Sequence, residues 1–107
     1  MRLDAFEEFV HNEVSAELEI MLSKGKEYTI SSDDKLKNFK MVAGVLDRPS
    51  TLDVIMTYLQ KHYFSILNYV NEGVEASDET ISGRIRDARN YLLLLHAAIL
   101  EEQNEGQ

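Results

Sequence analysis

Residues 81–100 read ISGRIRDARNYLLLLHAAIL, and the way this stretch is turned decides the fold. Ile81, Ile85, Ala88, Leu92, Leu95 and Ile99 recur at steps of three and four, the spacing of one face of an α-helix. With Ile81 at zero and about 100° per residue, this stripe stays within about 40° of its centre, while Leu93 falls at about 120° and Leu94 at about −140°. Tyr91 to Leu95 is therefore apolar almost all round, and a helix of that kind has to be covered on several sides. A chain of 107 residues is one domain's worth, and small domains bury only a modest share of their surface. The expectation is that the C-terminal helix associates with a second copy, most simply across a two-fold axis, to give a homo-oligomer. The alternative is a helix central within the monomer and flanked on both sides.

Three more helical segments precede it. Leu3, Phe6, Val10, Val14, Leu18 and Met21 form one face of a first helix, closed by Gly25, with the polar stretch Ser31 to Asp34 supplying a cap for the next. Leu36, Phe39, Val42, Ala43 and Leu46 mark a short second helix, ended by the Asp47–Ser50 turn around Pro49. Ser50 with Asp53 resembles a capping box. It opens a third helix bearing Leu52, Ile55, Met56, Leu59, Tyr63, Ile66, Leu67 and Val70, stopped by Gly73. Ser77 is the expected cap of the last helix, and 101–107 is read as a flexible acidic tail. The sequence therefore predicts a single all-α domain over 1–107, about four helices in a compact bundle.

Eleven Lys and Arg against 19 Asp and Glu give a net charge of −8, which argues against a general grip on nucleic acid. The absence of cysteine excludes disulfides, thiolate metal sites and thiol nucleophiles. No apolar run is long enough to span a bilayer, so a soluble, cytoplasmic protein without a membrane partner is expected.

Polar residues border the predicted stripes in three places. Tyr58, His62, Ser65 and Tyr69 share one flank of the third helix, with Lys61 beside it. Arg84, Asp87 and Tyr91 share a flank of the fourth, and Glu13 and Glu17 stand four apart on the first. Each has a plain reading: tyrosines rim cores, a histidine at a core edge is hydrogen-bonded, and Arg84 with Asp87 is a surface pair. If the flanks converge, however, Lys26, Lys61 and Arg84 would hold phosphate and the tyrosines a base. A metal-dependent hydrolase would instead gather Glu13, Glu17 and Asp87 around magnesium or manganese; otherwise no cofactor is expected.

Lys26-Glu27-Tyr28, Leu36-Lys37-Asn38-Phe39, Lys61-His62 with Ser65-Ile66, and Gly83-Arg84-Ile85 with Asp87 and Asn90-Tyr91-Leu92 together resemble a pattern in small phage-encoded helical proteins. Some of these are similar to the nucleotide-modification-associated domain type and, more remotely, to the all-α NTP pyrophosphatases. The resemblance covers roughly residues 20–100. It implies a phage protein of the host cytoplasm with a nucleotide-related ligand, and it nominates Lys26, Tyr28, Asn38, Lys61, His62, Asp87, Asn90 and Tyr91. Three functions follow as expectations. The first is a non-enzymatic, counter-defence binder that sequesters a nucleotide or nucleotide-derived signal. The second is a metal-dependent nucleotide pyrophosphohydrolase, and the third an acidic inhibitor that covers a host defence protein.

Overall fold

The structure, a computed structural model, describes residues 1–28 (backbone alone for 24–28), 34–46, 50–75 and 79–105. Every regular element among them is an α-helix: α1 (Leu3–Tyr28), α2 (Lys37–Val45), α3 (Thr51–Glu72) and α4 (Ile81–Glu105). The all-α class is as the periodicity indicates. No helix among the described residues is long and apolar enough to cross a membrane. The chain divides into two compact units, Met1–Lys35 and Leu36–Gln107.

The first unit holds α1 alone. The helix continues through Gly25, which was expected to close it. A glycine costs a helix about 1 kcal/mol relative to alanine, too little to halt one already propagating. A single helix has no second element in its own unit to cover it. Leu3, Phe6, Phe9, Val14 and Leu18 are accordingly exposed.

In the second unit α3 packs against both α2 and α4. The core is Leu36, Ile55, Leu94 and Ala98, with Phe39, Leu52, Tyr91 and Leu95 against it. Ile55 has no exposed surface. The boundaries of α3 follow the local chemistry. Ser50, in an extended conformation, accepts a hydrogen bond from the Asp53 amide at 3.2 Å. At the other end Gly73 takes φ 69° and donates its amide to the Tyr69 carbonyl at 2.8 Å, a left-handed stop that favours glycine.

The other helix ends differ from expectation. Residues 31–33 and 47–49 lie outside the described residues, and so does Ser77, the expected cap of α4. Thr80 caps that helix, its hydroxyl accepting from the Gly83 amide at 3.1 Å. α2 begins after Leu36, which is buried and offers no side-chain cap. The C-terminal stretch expected to fray at Glu101 stays helical to Glu105, and Lys40 of α2 ion-pairs with the Glu101 carboxylate.

The larger correction concerns which faces turn inward. On α4 the periodic stripe is only partly covered: Leu95 packs against the core and Ile81, Ala88 and Ile99 are half-buried. Ile85 and Leu92 are exposed, whereas Arg84, Leu94 and Ala98 are buried and Tyr91 is half-buried. Measured from Ile81, Arg84, Tyr91, Ala98 and Leu94 lie at about −60° to −140°, so the inward face is turned about 90° away from the stripe. α3 departs in the same sense. Of its expected stripe Ile55 is buried and Leu52, Leu59 and Ile66 are half-buried, but Met56, Tyr63, Leu67 and Val70 are exposed, while Val54 and His62 from outside the stripe are buried. The two helices therefore meet through the flanks that carry polar and aromatic side chains. Burial is tolerable there because the polar atoms of one flank find partners on the other.

Candidate functional site

The seam between α3 and α4 gathers His62, Arg84, Asp87 and Tyr91, four of the residues singled out in the sequence. His62 is 8% exposed and Arg84 9%. Arg84 Nη1 lies 3.3 Å from His62 Nδ1. A guanidinium has no acceptor, so Arg84 donates, Nδ1 accepts, and the neutral ring carries its proton on Nε2. Asp87 Oδ2 stands 3.9 Å from the same Nδ1, an ion pair only if the imidazole is charged. It stays neutral at ordinary pH: burial first, then the positive charge of Arg84 and the lesser one of Lys61, hold His62 below its usual value against the opposing pull of Glu79.

Glu79, just before α4, completes the group. Its Oε2 is 3.1 Å from Arg84 Nε, a charge pair in which the N–H is not aimed along the contact. A side-chain hydrogen bond to Asp87, and after it partial burial, hold the Glu79 carboxyl above the ordinary range in spite of the guanidinium beside it. Two carboxyl groups that share a proton can sit side by side without full like-charge repulsion. Sequence reasoning missed Glu79. The available signal was an acidic residue immediately before the Thr80 cap and five positions ahead of Arg84.

Aromatic rings continue the seam. Tyr91 stacks on His62, centroids 5.2 Å apart, and on Tyr58 at 5.8 Å with planes 4° from parallel. Phe39 of α2 meets Tyr58 and Tyr91 edge-on at 5.9 and 6.2 Å. Phe39, read in the sequence only as part of an apolar face, thus belongs to the cluster. Such ring pairs add about 0.5–1.5 kcal/mol beyond their buried area.

The remaining nominated residues are placed otherwise. Lys61, Asn38 and Tyr69 are exposed and Ser65 is half-buried. Asn90 is half-buried, and its amide oxygen has no hydrogen-bond partner among the described residues. The side chains of Lys26 and Tyr28 lie outside the described residues. Among the described residues no group of three or more His, Cys, Asp or Glu could hold a metal ion; Glu13 and Glu17 belong to the first unit and Asp87 to the second. An open hollow at the start of α1, lined by Arg2, Leu3, Asp4 and Glu7, contains none of the nominated residues.

Chemically, the seam is a largely paired network in which Arg84 Nε has no hydrogen-bond partner among the described residues. The imidazole lone pair is occupied by Arg84, the guanidinium is held by Glu79, and the ring faces of Tyr58, Tyr91 and His62 cover one another. What remains outward is part of the apolar surface of both helices, Met56, Tyr63 and Leu67 on α3 and Ile85, Leu92 and Leu93 on α4. Compared with known proteins, the chain matches no family model, no curated protein and no solved structure.

Proposed function

We propose that this chain is a non-enzymatic interaction module that associates with itself through the outward face of α4. One observation supports the reading above others: one side of α4 carries large apolar side chains that its own unit leaves exposed. Leu92 and Leu93 are 53% and 52% exposed, with Ile85 and Leu100 on the same side. Covering such a patch is the ordinary driving force of association. Partly exposed Tyr63 and Phe64, edge to face at 5.8 Å on α3, add to the apolar surface of the same unit. Light scattering tests the reading: it requires a mass above that of one chain, and a monomer at micromolar concentration removes it.

A second reading is the sequestering of a nucleotide or nucleotide-derived signal expected from the sequence. It is favoured by the convergence of His62, Arg84, Asp87 and Tyr91, since the nominated flanks do meet. It requires the ring stack to open, because the π faces and the guanidinium are already engaged. Thermal shift against a nucleotide panel tests it, with magnesium or manganese added and omitted. Stabilisation by nucleotide alone supports sequestration, because a ligand selective for the native state raises its stability. Turnover that needs metal supports the hydrolase instead. No response leaves the interaction module, with a host protein as an additional partner to be sought.

A further inference from the structure

Resting on the reading that copies meet through the outward face of α4, we propose that two copies pair these helices antiparallel, about a two-fold axis passing between Leu92 and Leu93. The exposed apolar residues of this face are Ile85 (39%), Leu92, Leu93 and Leu100 (47%). Measured from Ile81 they fall between about 20° and 120°, one contiguous side of the rod. Their order is palindromic. Ile85 precedes the Leu92–Leu93 midpoint by as many positions as Leu100 follows it, and Arg89 and His96 are related in the same way. A reversed copy therefore presents apolar side chains at the same levels. Ile85 comes level with Leu100 of the second copy, the leucines meet at the centre, and Arg89 comes level with a histidine instead of a second guanidinium.

A parallel pair would also match apolar with apolar, and charge decides between the two. On this face, at about 80° from Ile81, stands Arg89, which parallel pairing would set beside its own copy. Parallel pairing sets like ends together and aligns the helix dipoles. Antiparallel pairing sets unlike ends together and opposes the dipoles. Packed helices lie about 8–10 Å apart, close to the screening length of about 8 Å at physiological salt, so the preference is not screened away. The surface is then self-complementary, as a closed two-fold dimer requires.

The chain has no cysteine, so one introduced thiol reports one position. Facing Cα atoms of helices about 8–10 Å apart lie roughly 4–5 Å from each other, within disulfide reach. Under mild oxidation Leu93→Cys is expected to convert most of the chain to a covalent dimer, with Leu92→Cys as a second probe should the first disturb folding. Leu100→Cys alone is expected to stay uncrosslinked, because its two copies would lie about 22 Å apart at 1.5 Å per residue. A mixture of Ile85→Cys and Leu100→Cys is expected to give the mixed dimer. Efficient crosslinking of Leu100→Cys with itself means parallel pairing and overturns the orientation. A dimeric protein that crosslinks at none of these positions overturns the choice of face. Absence of a dimer in light scattering of the unsubstituted chain is a separate result, which removes the underlying reading without any thiol chemistry.

Discussion

Arg84 and His62, 22 positions apart, meet inside the α3–α4 seam with Nη1 3.3 Å from Nδ1, and the guanidinium is the donor. This contact explains why a face bearing an arginine is turned inward ahead of one bearing isoleucine and leucine. The Arg84 charge is answered by Glu79 at 3.1 Å, the imidazole lone pair is filled, and Tyr91 lies over the histidine ring. Ile85 and Leu92 of the α4 stripe are left exposed, while Leu95 still packs against the core.

Removing the guanidinium should be costly. Arg84→Ala leaves Nδ1 of a buried histidine without a donor and Glu79 without its cation, and is expected to lower stability by about 1.5–3 kcal/mol. Lys61→Ala, at an exposed neighbour of that histidine, is expected to change stability by less than about 0.5 kcal/mol. Urea midpoints of the two variants check this contrast; equal effects would contradict it.

The same cluster sets a pH dependence with two opposed parts. His62 titrates below its usual 6.5 in the folded chain, so the unfolded chain binds more protons there. Its share of stability is present above about pH 6.5 and is lost as pH falls through the lowered value. Glu79 titrates above its usual 4.5, so its share is present in acid and is lost as pH rises through the raised value. His62→Asn, which keeps an acceptor for Arg84, should flatten the loss on the acid side. Glu79→Gln, which keeps a donor for Asp87, should retain at neutral pH what the carboxylate loses. Urea midpoints between pH 4 and 8 separate the two variants, and parallel curves for both and the unsubstituted chain would contradict the assignment.

Core truncation should act through α2 and α3 together. Ile55 is wholly buried in the cluster with Leu36, Leu94 and Ala98. Ile55→Ala is expected to cost about 2–5 kcal/mol through lost burial and the cavity left behind. Met56→Ala, next along but exposed, is expected to cost far less. Comparable losses at both positions would mean that the inward face of α3 lies elsewhere.

The element list was legible in the sequence because its causes are local. Steps of three and four, the Ser50–Asp53 cap and the left-handed Gly73 stop each act within a turn or two of chain. The members of the two flanks were legible as well, Tyr58 and His62 on one helix and Arg84, Asp87 and Tyr91 on the other, while their meeting stood only as a conditional expectation. The rotation of α3 and α4 was not. Counting apolar positions leaves Arg84 on a flank beside the stripe, and only its partners on other segments, His62 and Glu79, make burial tolerable. Glu79 escaped for the same reason, since its role depends on Asp87 eight positions later and on a guanidinium between them. Lys61 shows the converse: one position from His62 is about 100° of helix, enough to put it in solvent.

The central claim is that the outward face of α4 is covered by another copy of the chain, and the most direct test is the mass in solution by light scattering. The unsubstituted protein should give twice the 12.3 kDa of one chain, and the double variant Leu92→Asp, Leu93→Asp should give a single chain of unchanged helix content. A mass of one chain for the unsubstituted protein, or a dimer that survives both aspartates, contradicts it.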